Sequence, residues 1–299
     1  MTVSRIDLAD AATPEKLVLE ILKNEPGLAI PVPIETLARQ LDIVDILPLE
    51  TDGYEGGLIT PVDKFNGSIL FNRASPRKRR RFTIAHELGH FLMPSHVPSA
   101  EGRFLCRLQD MLALKANEAD RRMKMEVEAN RFAAHILMPA PPFRKDAAAS
   151  KDPDLGHLVR LANKYDVSKE AASRSYVRYR EEPVAVMITH QGKVLRVYGD
   201  YAKFPGLWAE RARPVSPYSL LRRRTHQEGV PSDIDETDAG VWIDVQRGSK
   251  PPALYEQVLL QRDGFAMIML SMNPLNEDEE DPEDDLTSAQ RLRRRLDRW

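Results

Sequence analysis

The sequence predicts an α+β fold, and three observations carry that expectation. Over roughly residues 1–140, segments with helical apolar spacing alternate with short strand-like runs. Two short helical segments follow between Asp154 and Tyr179. From Val184 onward the pattern turns to strands broken by hairpin signals. With 299 residues, 42% of them hydrophobic, the chain can bury the cores of two or three domains. The reading divides it into 1–140, a domain with a small sheet; 141–182, a helical, helix-turn-helix-like subdomain; 183–273, a β-rich region; and 274–299, a charged tail.

Leu17 to Leu22 forms an apolar helical stretch, and Pro33 to Leu41 has helical spacing at Ile34, Leu37, Ala38 and Leu41. Ile43 to Leu47, Gly57 to Thr60 and Ser68 to Phe71 read as strands, with Ile69 and Phe71 on one face of the last. A helix then opens with Ser75 as N-cap and Pro76 at the first helical position, and Pro94 stops it near Met93. Ala100 to Arg122 reads as a long charged insertion that overlaps the start of a second strong helix, Asn117 to Met138. Pro139 and the Pro141-Pro142 pair close that helix. Two short helices flank Tyr165 to Ser168, where Ser168 caps the second. Further on, Gln191-Gly192 and Asp263-Gly264 each separate two strand patterns, which predicts two hairpins. The tail, acidic to Asp285 and then basic, is expected to be solvated.

Acids outnumber bases by 45 to 43, so the overall charge carries no nucleic-acid footprint. The single cysteine, Cys106, excludes an internal disulfide and a cysteine-built zinc site, and it reads as an inert, half-buried thiol. No stretch reaches the roughly 18 apolar residues of a membrane span. The first 15 residues lack the apolar middle of a signal peptide, so the expectation is cytoplasmic, with no membrane partner.

The chemistry concentrates in Ala85-His86-Glu87-Leu88-Gly89-His90. Histidines four apart on a helix project from one face, so both imidazoles can reach a single ion, and neutral imidazole suits Zn²⁺. Glu87 lies about 100° round the helix, from where it reaches a zinc-bound water rather than the ion. The flanking Phe82, Ile84, Leu88, Phe91 and Leu92 are apolar on more than one side, which describes a buried helix whose polar groups need partners. Gly89 costs about 1 kcal/mol against alanine in a helix, which points to a close neighbour.

A catalytic zinc site needs a third protein ligand and an open fourth position. His96 has the right distance from His90, but Met93 and Pro94 stand where that arrangement needs a turning glycine. Glu126 is the stronger choice. On a wheel of about 100° per residue it shares the apolar face with Ala129, Ala133 and Leu137, whereas Glu128 falls opposite, beside Lys124, Arg131 and His135. Asn130, one turn after Glu126, can hydrogen-bond a ligand histidine from behind.

Two blocks, Arg81 to His90 and Glu126 to Ala134 with Ile136-Leu137-Met138-Pro139, resemble the ImmA/IrrE family of metallo-endopeptidases. The resemblance covers about residues 15–180. It implies a zincin-like, gluzincin-type domain holding one Zn²⁺ per chain on His86, His90 and Glu126, with Glu87 as base. It also implies a protein substrate, a helix-turn-helix repressor or antitoxin, and a role in stress response and transcription regulation.

Two weaker signals remain. A DNA-reading helix starting at Ser168 would carry Lys169, Arg174 and Arg178. The plainer reading, a small helical subdomain packed on the core, is preferred. The run Arg77-Lys78-Arg79-Arg80-Arg81 reads as a solvated helix start, with docking of an acidic partner as the functional alternative. The rival functions are a DNA-binding regulator with a structural or vestigial metal site, and a zinc hydrolase of non-peptide amides.

Overall fold

A computed structural model of the chain describes residues 1–98, 103–111, 120–209, 211–245 and 250–272. The architecture is α+β with a small sheet in each of two compact units. Met1–Asp152 and Gly156–Tyr179 make the first unit; Pro153–Leu155 and the chain from Arg180 make the second. The charged tail lies outside the described residues. Among the described residues no helix is long and apolar enough to cross a membrane.

In the first unit, α1 (Pro14–Asn24) begins where the Thr13 side chain accepts the Lys16 amide, and it buries Leu17, Val18 and Ile21. A short α2 (Ile34–Gln40) leads into β1 (Ile43–Leu49), β2 (Gly56–Ile59) and β3 (Gly67–Asn72). The helix α3 (Arg77–Leu92) follows. Pro76 takes its N-cap position, one residue later than the sequence pattern suggests, because the Ser75 hydroxyl donates to Glu55 Oε2 at 2.7 Å instead of capping.

The sheet gains a fourth strand, β4 (Arg103–Cys106), from the segment read as an insertion, and a short α4 (Leu108–Met111) follows it. Phe104-Leu105-Cys106 is too short an apolar run for periodicity to mark. The strand order is β1-β3-β2-β4, with β1 parallel to β3 and the other pairings antiparallel. The strands that the sequence marks at Gly57 to Thr60 and Ser68 to Phe71 therefore offer no open edge for strand addition. Both strands are interior, and among the described residues the edges belong to β1 and β4.

Helix α3 packs against β2 and β3 on one side and α5 (Arg121–Leu137) on the other, so Thr83 to Phe91 is buried all round. Asp120 caps α5 by accepting the Met123 amide at 2.9 Å. The crossing is tight: a Cβ on Gly89 would sit 3.1 Å from Phe132 and 3.3 Å from the Ala129 Cα. The prolines after α5 close it, as the sequence pattern expects. They open α6 (Ala140–Ala147), whose first turn needs no amide donors.

Helices α7 (Leu155–Lys164) and α8 (Lys169–Tyr179) flank a turn with Asp166 at φ 50°, and Ser168 accepts the Ala171 amide at 3.0 Å. Arg77 and Arg81 pair with Asp166 at 2.8 and 3.2 Å, and Lys78 reaches Asn163 at 3.1 Å. Part of the basic run therefore ties the start of α3 to this turn.

The second unit carries an antiparallel sheet in the order β6-β5-β9-β8-β7. Its strands are β5 (Val184–His190), β6 (Lys193–Gly199), β7 (Asp235–Thr237), β8 (Leu254–Leu260) and β9 (Phe265–Met272). Both expected hairpins form, with Gln191-Gly192 at φ 50° and 71° and Asp263-Gly264 at 57° and 75°. Met187, Val194, Phe204, Trp242, Val258 and Ile268 fill its core.

Candidate metal centre

Helix α3 places His86, Glu87 and His90 at 0% exposure, and α5 brings Glu126, 4% exposed, to face them. The two Nε2 atoms of His86 and His90 lie 3.1 Å apart. Glu126 Oε2 sits 3.2 Å from the first and 3.5 Å from the second. Ala129, Asn130, Ala133 and Leu137, which the wheel places beside Glu126, are buried with it, and so are Val127 and Phe132 further round the helix.

The outer ring nitrogens determine the tautomers. His86 Nδ1 donates to Asn130 Oδ1 at 2.9 Å, and Asn130 in turn donates to the Asp110 carbonyl at 2.9 Å. His90 Nδ1 meets His96 Nδ1 at 3.0 Å, and His96 Nε2 meets Glu128 Oε2 at 2.9 Å. Glu128 is a carboxylate and accepts, so His96 Nε2 carries its proton and His96 Nδ1 accepts from His90. Each Nε2 is thereby left with its lone pair directed at the other and at Glu126.

His96 thus stands behind His90, fully buried, rather than in a loop facing solvent. Glu128, though 40% exposed at its side chain, is its anchor. Neither relation was visible in the sequence, because the turn after Pro94 folds His96 back under the helix.

Burial lowers the pKa of His90 to about 3, against the raising influence of Glu126, so it is neutral and ready to ligate. Burial would lower His86 too, but Glu126, Glu87 and Asn130 outweigh it and raise the value. Burial would raise Glu126, yet hydrogen bonding to His86 and His90 holds its carboxyl well below the usual range. For Glu87, burial raises the pKa to about 7, with the His86 charge and the Cys106 thiol opposing.

Both Glu87 oxygens are buried without a hydrogen-bond donor, and Glu126 Oε2 has only the two imidazole Nε2 atoms beside it. Such groups are costly unless something supplies positive charge. One proton on His86 relieves a single edge of the cluster, whereas a divalent cation among His86, His90 and Glu126 relieves all of it. Two imidazoles and one carboxylate are a donor set that zinc takes. The residues fit the ion.

Cys106, read from sequence as half-buried and inert, is 0% exposed and lies within this group. It sits at the end of β4 opposite Gly56, so both face α3. A Cβ on Gly56 would come within 2.2 Å of Thr83 Cγ2 and 3.1 Å of Glu87 Oε1. Glycine there makes room for Glu87. A cavity of about 630 Å³ beside β4 has Tyr54, Phe104, Arg107, Asp110 and Glu126 in its walls, but not His86, Glu87 or His90.

The suggested DNA-reading residues lie on α8. Arg174 pairs with Glu170 at 3.3 Å, Arg178 lies over Tyr179 at 5.6 Å, and burial lowers the pKa of Lys169, with Lys78 adding to the effect. Arg174 and Arg178 line a groove of about 530 Å³ together with Lys78, Arg79, Arg131 and His135.

Residues 38–175 match the family described as the IrrE N-terminal-like domain. The radiation response metalloprotease IrrE of Deinococcus radiodurans is 27% identical over 190 residues, covering 62% of this chain and 54% of that protein. The chain therefore spans about half the length of this curated relative. A solved structure described as a Mycobacterium tuberculosis transcriptional regulator aligns with a TM-score of 0.52 at 13% identity, over 90% of this chain and 79% of that one. That likeness concerns the fold alone.

Proposed function

We propose that this chain, whose residues 38–175 match the IrrE N-terminal-like domain family, is a zinc-dependent endopeptidase that cleaves a regulatory protein, a helix-turn-helix repressor or antitoxin. The observation that carries the reading is the convergence of His86, His90 and Glu126 beside the unpartnered, buried carboxylate of Glu87. The arrangement of a small mixed sheet, the His86–His90 helix across it and a second helix supplying Glu126 supports a zincin-like domain of gluzincin type. The identity of the substrate class rests on the family and not on the site.

His86 Nε2, His90 Nε2 and Glu126 would hold the ion. When bound, zinc polarises a carbonyl and lowers the pKa of a coordinated water from about 15.7 towards 7. Glu87, with a pKa raised to about 7, accepts a proton from the attacking water and returns it to the leaving amine. Asn130 and His96 hold the two imidazoles in the tautomer that leaves each Nε2 free. An extended substrate would add to the sheet at β4, the edge that borders the cavity reaching Glu126.

The test is a comparison of newly formed protein N-termini in a host-cell extract incubated with zinc-loaded wild type or Glu87→Gln. Wild type is expected to produce them in one or a few helix-turn-helix proteins. Glu87→Gln should keep one zinc and lose at least about 10²-fold of the cleavage. Equal cleavage by both would sink the mechanism. No cleavage by the zinc-loaded protein, either as wild type or as Cys106→Ala, would sink the activity. Direct DNA binding through Lys169, Arg174 and Arg178 has less support, since Arg174 already pairs with Glu170.

A further inference from the structure

The Cys106 thiol stands where an open coordination position would be needed. Its Sγ lies 3.8 Å from His90 Nε2 and 3.9 Å from Glu126 Oε1. One ligand atom from each of His86, His90, Cys106 and Glu126 lies within 4.8 Å of the others. A tetrahedral zinc with bonds of about 2.0–2.1 Å to nitrogen and 2.3 Å to sulfur has edges of about 3.3 Å between nitrogens and about 3.6 Å between nitrogen and sulfur. The nitrogen pair here is 3.1 Å apart and the nitrogen–sulfur pair 3.8 Å, close to both values.

A second set of observations points the same way. Glu87, the expected base, is 0% exposed, and so are both histidines. Both Glu87 oxygens are orphaned in a pocket that Cys106 and Gly56 cover from the sheet. The neighbouring cavity reaches Glu126 from the side of β4 and leaves Glu87 behind the strand. Sites with four protein ligands are the closed, structural kind, while catalytic zinc keeps a position open.

Resting on the metal-site reading above, we propose that Cys106 is a fourth ligand to the same ion, so that the site as folded is closed and β4 holds the peptidase in a latent state. The thiol would release its proton to solvent on ligation and bind as thiolate; on displacement it regains a proton and a water takes its position. Displacement of Cys106 from the ion then opens the position that hydrolysis uses. Because Cys106 sits on the edge strand, a partner or substrate pairing along β4 is in direct register with the ligand it must release.

Cobalt(II) substitution tests this without relying on activity. The chain has a single cysteine, so a thiolate-to-cobalt charge-transfer band can arise only from Cys106. The wild-type chain carrying one Co²⁺ should show that band in the near ultraviolet. Cys106→Ser and Cys106→Ala should bind Co²⁺ without it, and their zinc forms should cleave more than wild type in the extract assay. One Co²⁺ bound to the wild type with no such band overturns the proposal while leaving the three-ligand site standing. Failure to bind Co²⁺ at all overturns that site and the proposal together. The wild-type spectrum decides ligation even if a variant does not fold.

Discussion

His90 gives one ring nitrogen to the cluster with His86 and Glu126 and the other to His96, which leans on Glu128. Outer partners of this kind typically control metal affinity by about 10–100-fold. His96→Ala is therefore expected to weaken zinc binding within that range in a chelator-competition titration, with Glu128→Gln weaker in effect because Glu128 is half open to solvent. Affinity indistinguishable from wild type in His96→Ala would show that His90 is oriented by packing alone. The raised pKa of His86 has a consequence of definite sign: a proton and the ion compete for its Nε2, so zinc affinity falls as pH falls. At this scale helical geometry did most of the work. Spacing along α3 and α5 marked which of His86, Glu87, His90, Glu126 and Asn130 share a buried face, and the packing of the two helices brings them together. His96 and Cys106 were illegible because they arrive through a turn and a strand, whose long-range placement no local periodicity encodes.

Two close approaches define how the elements meet. Gly89 lets α5 press against α3, and Gly56 lets β2 lie over Thr83 and Glu87. An alanine at position 56 would force Thr83 or the strand to move, since the added carbon would stand 2.2 Å from Thr83 Cγ2. Gly56→Ala is expected to cost about 1–3 kcal/mol, the usual range for overpacking, as a lower midpoint in denaturant unfolding. An unchanged midpoint would mean that the strand yields freely. The helices and hairpins were readable because each carries its own signal: a cap, an apolar stripe, or a residue at positive φ. Strand β4 and the interior position of β2 were not, because pairing is decided by partners distant in sequence. The prolines at 139, 141 and 142 close α5 as the pattern indicates, but that they also open α6 was not legible. The same residues that stop one helix are acceptable in the first turn of the next.

At the scale of the whole molecule, the two compact units differ in what holds them together. The first has its polar cluster at the junction of α3 and α5, whereas the second is built on the apolar core of a five-stranded sheet. Stripping the ion should loosen the first selectively. Hydrogen exchange after chelation is expected to speed up in Thr83–Phe91 and Glu126–Leu137 and to stay unchanged in β5, β8 and β9. Uniform acceleration through both units would show that they unfold as one. Composition and patterning foretold the β-rich second half and its hairpins. The pairing of β5 with β9, about eighty residues apart, lies beyond what alternation can specify.

Titration of Zn²⁺ into metal-stripped wild type and Glu126→Gln bears most directly on the central claim, that His86, His90 and Glu126 hold one ion. Wild type should bind one Zn²⁺ per chain, and Glu126→Gln should bind it more than about a hundredfold more weakly, beyond the range of about 10–100-fold for an outer partner. Equal affinity in the two proteins would contradict the assignment of Glu126 as a ligand.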